Sequence, residues 1–227
     1  MAAPVWVSGT TLTAANGTSA VVTLPSSISA NDIVLISIYK EDTGAVTPAA
    51  GFTEKGTAPT TTAPQGQYTF WKRMSGGESG TVTFSWTNNV FRAATANRIT
   101  GCITTGDPIE GFNTNFNNSS SGTSPAVSLG STSVDTLLYW AGTDFTGGNT
   151  WTAPSTYTKR GDVDVLGDAT KDNTAGGATG SVTGTMGVSG ISTAVLLNLL
   201  PDTGGSGGGS TAGWPRIHVA HHQIIFV

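Results

Sequence analysis

Three histidines, His218, His221 and His222, stand within five residues near the C-terminus and are the only imidazoles in the chain. Imidazole nitrogen is the commonest protein metal donor. A zinc centre, however, needs three or four converging ligands, usually with a thiolate or carboxylate among them. On an extended segment side chains alternate, so His218 and His222 share one face and His221 takes the other. That geometry points to edge or interface histidines. The run Asp162-Val163-Asp164-Val165-Leu166-Gly167 opens like a calcium loop, with Asp at positions one and three and Gly at six. Positions five and twelve hold Leu166 and Asn173, where an oxygen ligand and a bidentate Glu belong. Asp162, Asp164, Asp168 and Asp172 therefore read as a solvated acidic loop, with weak calcium binding as the alternative. No metal or other cofactor is expected.

Nucleophilic catalysis has little to build on. A serine nucleophile needs a histidine beside it on a rigid scaffold, and every histidine lies in the terminal segment. Cys102 follows Ile99, Thr100 and Gly101 at the end of an apolar stretch, the place of an inert buried thiol. The one G-x-S-x-G match, Gly204 to Gly208, falls within the glycine linker at 204–209, with no strand and helix around it to form a nucleophile elbow or cradle phosphate. Glycoside hydrolysis needs two carboxylates at a set separation, and Glu41, Glu54, Glu78 and Glu110 fall in separate turns or strand ends. The chain reads as a non-enzyme. Among six tryptophans, Trp71, Trp86 and Trp140 fall inside strand-like runs, where core packing is the default. Trp151 follows a Gly-Gly-Asn turn and is the candidate exposed ring for stacking on a sugar.

The elements that carry these residues follow from composition. Hydrophobic residues make up 37% of the 227 positions and charged residues 11%, against about 45–50% and about 25% in an average domain. Gly, Thr and Ser contribute 31, 38 and 22 residues, which suits half-exposed strands joined by tight turns. Five Lys, five Arg and four Glu are too few to solvate several helices, and no window sustains a 3.6-residue period. The expected fold is all-β. The net charge of −4, with ten basic residues scattered among fourteen acidic ones, offers no basic face for nucleic acid. No run reaches the roughly 20 apolar residues of a membrane helix. Residues 1–13 lack the basic and apolar segments of a secretory leader, and one cysteine excludes an internal disulfide. Synthesis in a cytoplasm is therefore expected.

A weak duplication organises the chain. The stretch from Ser19 through Asp32 and Phe52 to Gly56 returns as Ser124, Asp135, Tyr157 and Gly161. Asp32 aligns with Asp135 at an offset of 103, Gly56 with Gly161 at 105 and Val82 with Val182 at 100. The run 33–39, almost continuously apolar, reads as a strand buried on both faces. Residues 68–72 and 82–86 alternate with period two. The expected body is residues 1–202, a β-sandwich with halves about 1–112 and 124–202 and residues 113–124 as the joining loop. Residues 203–213 are a Gly/Ser-rich tether with an r.m.s. reach of roughly 18 Å. Residues 214–227 are a strand-like arm in which Trp214, Ile217, Val219, Ile224, Ile225, Phe226 and Val227 would dock on a sheet edge, in cis or in trans.

These features together resemble tailed-bacteriophage virion proteins, the capsid decoration and minor tail proteins built on a jelly-roll-like β-sandwich. The resemblance is carried by Asn31-Asp32-Ile33-Val34-Leu35-Ile36, by Thr47-Pro48 and Phe52, by Phe70-Trp71-Lys72-Arg73, by residues 77–86 and 93–101, and by Asp107-Pro108-Ile109. It spans residues 10–200 as a pattern of strand and turn types. Phe52 stands where the pattern has Trp, and the second half keeps a faded version. The resemblance implies a jelly-roll-like antiparallel sandwich from two similar halves, and a structural subunit with no catalytic residues. Its implied partners are a major capsid protein or tail proteins and copies of itself in a homo-oligomer such as a trimer. Its implied place is the virion surface, after synthesis in the host cytoplasm. The competing expectation is a carbohydrate-binding or host-adhesion module that uses Trp151.

Overall fold

The structure, a computed structural model, describes residues 3–59, 65–148 and 150–203. Among them are eleven strands and no helix. The first five are β1 (Val5–Thr23), β2 (Ile33–Lys40), β3 (Thr53–Pro59), β4 (Gly66–Arg73) and β5 (Thr81–Thr100). The other six are β6 (Ile109–Thr123), β7 (Thr136–Asp144), β8 (Trp151–Thr152), β9 (Thr158–Val163), β10 (Leu166–Asn173) and β11 (Thr185–Leu199). They form two antiparallel sheets, ordered β1-β5-β2-β4-β3 and β6-β11-β7-β10-β9, with β8 paired to β11. Apart from the short β8, the second order is the first one repeated. Residues 113–124 are therefore no joining loop. All but the last belong to β6, and the second sheet starts at Ile109. Their Asn, Ser and Thr content hid a half-exposed edge strand that needs few apolar residues.

Register sharpens the repetition. Ile33 sits opposite Ile99, and Leu137 sits opposite Leu199, so β2 maps on β7 with an offset of 104. The aspartates Asp32 and Asp135 had suggested 103, and a one-residue slip would exchange the two faces of the strand. Asn31 and Asp135 are the true counterparts, both with positive φ, 70° and 55°. One extra residue bulges each edge hairpin at matching places, Lys55 between β3 and β4 and Arg160 between β9 and β10. Even the packing of Lys72 over Phe52 recurs as Lys171 over Tyr157, at 5.9 and 5.8 Å from the ring centres.

Each sheet buries both faces. In the first half Val34, Ile36 and Ile38 pack with Phe70, Phe84, Ala20 and Val22. Ala20 and Val22 belong to the far end of the long β1–β5 ribbon, which bulges near residues 12–19 and folds over its own sheet. The bridge between Thr47 and Ser85 adds a third cover segment. In the second half the bridge between Val127 and Val182 and the pairing of β8 with β11 build the same cover. Each half is thus a small jelly-roll-like sandwich of five strands against three. The backs of the two five-stranded sheets then meet, with Ile33, Leu35, Tyr39 and Ile99 against Leu137, Tyr139, Leu197 and Leu199. β1 lies over β9 and β3 over β6, so the halves meet back to back about a pseudo-twofold axis.

The core of the second half is built on two indoles, Trp140 and Trp151, with ring centres 5.5 Å apart and edge-on. Gly142, Gly167 and Gly184 make room for them. A Cβ at Gly167 would lie 2.5 Å from Trp151 Cβ and Cγ. Gly167→Ala should therefore lower stability by about 1–3 kcal/mol through overpacking. That corresponds to about 2–4 °C in Tm for each kcal/mol at this chain length. A thermal melt superposing on wild type would refute this account of the glycine.

Candidate functional site

Five polar side chains meet in the layer between the two sheets, a cluster that sequence reasoning missed. Asp168 on β10 is 1% exposed. Its Oδ2 accepts hydrogen bonds from Asn97 Nδ2 at 2.6 Å and Tyr139 OH at 3.0 Å. Ser37 Oγ is 2.9 Å from the Tyr139 hydroxyl, and Asn97 Oδ1 accepts from Trp6 Nε1 at 2.8 Å. Burial pushes the Asp168 carboxyl above the ordinary carboxylate range, while its hydrogen-bond donors pull the other way. Burial, and then the Asp168 charge, hold the Tyr139 phenol well above its ordinary value. Serine, tyrosine and carboxylate in line resemble a proton relay. Yet Ser37, Tyr139 and Asp168 are all within the core, so no substrate atom reaches them. The group clamps the two halves together.

The residues singled out from the sequence are scattered. Trp151 is 1% exposed and packed in the core of its half. It offers no stacking face, because its ring lies edge-on against Trp140 and its backbone pairs with Met186 of β11. The acidic run is a hairpin and no solvated loop. Asp162 pairs with Lys159 Nζ at 2.7 Å. Asp164 turns between β9 and β10 with φ 47° and accepts from the Gly148 backbone N–H. Asp168 points inward, and Asp172 lies opposite Leu137 on β7. Among the described residues no three His, Cys, Asp or Glu side chains are grouped to hold a metal. Cys102 is buried between the halves, and burial pushes its thiol up to about 12. The histidines and the arm residues Trp214, Ile217, Val219, Ile224, Ile225, Phe226 and Val227 lie outside the described residues.

A groove of about 420 Å³ is lined by Tyr157, Lys171 and the hydroxyls of Ser155, Thr179, Ser181 and Thr183. A second, of about 320 Å³, lies beside Asp42, Trp86 and Asn88. Under it Lys40 is fully buried, with Nζ 3.4 Å from Asp42 Oδ2 and 5.3 and 5.8 Å from the centres of the Tyr68 and Trp86 rings. Burial lowers its pKa against the pull of Asp42. Asp42 is in turn engaged by Gly44 N and Asn88 Nδ2, while among the described residues Lys40 Nζ makes no hydrogen bond beyond this ion pair.

Sheet edges are the more distinctive surface. Among the described residues the ends of the two sheet orders are β1, β3, β6 and β9. β3 carries Glu54 and Lys55, and β9 carries Lys159, Arg160 and Asp162, charges of the kind that deter edge pairing. β1 has no charged residue and no proline in 19 positions, and Val5 and Val7 are 54% and 40% exposed. β6 carries only Glu110, and its Asn113 and Asn115 donate to the carbonyls of Ser128 and Ala126. No family model, curated protein or solved structure matches this chain.

Proposed function

We propose that the protein is a non-enzymatic structural subunit of a bacteriophage virion, which docks on a capsid or tail surface and is fastened by its terminal arm. The observation that carries this reading is β1, a 19-residue edge strand free of charge and proline. Exposed strand edges are liabilities that soluble proteins normally guard. One without such guards, open over residues 5–12, suits a subunit whose edge is meant to be covered. Binding here is interface burial plus strand addition, in which main-chain hydrogen bonds supply affinity and alternate side chains supply register.

The test compares the full chain with a chain ending at Thr203, each added to undecorated shells or tails and sedimented. The full chain should saturate its sites. The shortened chain should bind at least tenfold less, with unchanged circular dichroism and melting. Full occupancy by the shortened chain would remove the arm from the reading. Failure of the full chain to bind either particle would remove the virion role itself. A glycan-binding reading, which rested on Trp151, passes to the 420 Å³ groove with its tyrosine and hydroxyl lining. Glycan-array binding by the full chain without particle binding would favour it.

A further inference from the structure

We infer that the outer edge of β1, residues 5–12, is the acceptor for the C-terminal arm, and that in the free subunit the arm closes on the β1 of its own chain. This rests on the arm-docking reading above and names its receiving surface. Three observations converge on that stretch. The first is where the chain leaves the body. Asp202 N donates to Gly101 O at 2.7 Å, and Cys102 is bridged to Pro201. Gly101 in turn packs against the start of β1, since a Cβ there would lie 3.0 Å from Ala3 O and 3.6 Å from Pro4 Cα. Val5, the first residue of β1, pairs with Thr100. The last 24 residues, 204–227, therefore depart within about two strand spacings of Val5, roughly 10 Å at about 4.8 Å each.

The second observation is which part of β1 is open. Beyond residue 12 four of its carbonyls are taken, those of Thr13, Gly17 and Ser19 by side chains of β5 and that of Thr23 by the Thr10 hydroxyl. Arg92 reaches Thr13 O and Ser19 O at 2.8 and 2.9 Å, and Trp86 Nε1 reaches Gly17 O at 3.0 Å. Over residues 5–12 the outward backbone groups face no other strand among the described residues. The third is chemical fit. The open stretch is uncharged and presents Val5 and Val7, while the arm alternates Ile217 and Val219 with polar residues and ends in Ile224, Ile225, Phe226 and Val227. β3 and β9, with their charges, fit that arm poorly, and β6 is bridged by its asparagines.

Length permits the closure. Fourteen arm residues span about 46 Å when extended, against about 26 Å for eight residues of edge. The tether reaches roughly 18 Å, more than the gap to Val5. A flexible link of this length gives an effective concentration in the millimolar range, so the arm meets its own edge before a neighbour's at micromolar protein. Assembly would then exchange arms between adjacent copies.

The test uses the full chain with Thr11→Cys combined in turn with Val219→Cys and with Ile225→Cys, oxidised at micromolar concentration. Buried Cys102 stays out of the exchange. One of the two pairs should close a disulfide within the monomer and so report the direction of the arm. Crosslinks found only between chains, or none in either pair, would overturn the inference. Hydrogen exchange of the unaltered full chain gives a second readout. Amides of residues 5–12 should exchange at least tenfold more slowly than in the chain ending at Thr203, and equal rates would overturn the assignment. A missing crosslink with truncation still abolishing particle binding refutes this acceptor alone. A crosslink with truncation leaving particle binding intact refutes the fastening role alone.

Discussion

Trp140→Ala is expected to cost about 3–5 kcal/mol of stability, the range for removing a fully buried tryptophan. The indole is 1% exposed and contacts Trp151 edge-on at 5.5 Å. Collapse around the deleted ring is restricted on two sides. Gly142 and Gly184 have no side chain to swing into the space, and a Cβ at either would sit 2.5 or 2.4 Å from the ring atoms now present. The remaining volume is bounded by Leu138 and Leu196 on strands held in register and by Val182 in its bridge to Val127. Truncating Trp71, half-buried at the rim of the layer between the sheets, should cost distinctly less. Urea unfolding followed by far-ultraviolet circular dichroism gives both numbers. A Trp140 variant losing less than about 1 kcal/mol would mean that the second half repacks freely, against the close packing that defines protein cores.

Replacing Asp168 tests the clamp between the halves. Asp168→Ala leaves the Asn97 amide as a buried donor without its acceptor, at about 1–3 kcal/mol, while the Tyr139 hydroxyl can still donate to Ser37 Oγ at 2.9 Å. Asp168→Asn keeps an acceptor oxygen and removes the charge, and its effect depends on pH with a definite sign. The folded carboxyl is held above its ordinary value by burial, so the folded state keeps its proton to a higher pH than the unfolded chain. The contribution of this group is full below the unfolded pKa of about 4. It declines as pH rises through the folded value. The stability of the Asn variant relative to wild type should therefore increase with pH above 4, as read from urea midpoints at several pH values. A difference that stays flat, or falls, would show that the carboxylate is stabilised in place and that its hydrogen bonds outweigh its burial.

How far the sequence discloses this molecule depends on the face each residue serves. The strand at 33–39 is legible because both its faces are apolar, one for the core of its own half and one for the layer between halves. The repetition is legible through turn glycines such as Gly80 and Gly180, both with positive φ. β6 was hidden, because an edge strand with one solvated face can be written almost wholly in Asn, Ser and Thr. Asp168 was hidden for a different reason. Four aspartates in eleven residues look solvated, and only pairing shows that Leu166, Asp168 and Thr170 alternate inward on β10. Trp151 misled because a glycine turn beside an indole says nothing of which way the ring points.

The pseudo-twofold, back-to-back packing of the halves carries one more consequence. Two identical subunits joined across a twofold axis must present every interfacial side chain twice. An aspartate at the place of Asp168 would then come with a second in the same dry layer, and like charges in a shared low-dielectric space resist joint ionisation. One chain that carries both halves escapes this requirement. The ladder partners place Thr69, Leu35 and Leu197 at the positions matching Asp168, Tyr139 and Asn97. The hydrogen-bonded group is thus built once, off the axis, and faces hydroxyl and hydrocarbon where its mirror would lie. Covalent fusion gives this protein an interface that no symmetric pair of its halves could form.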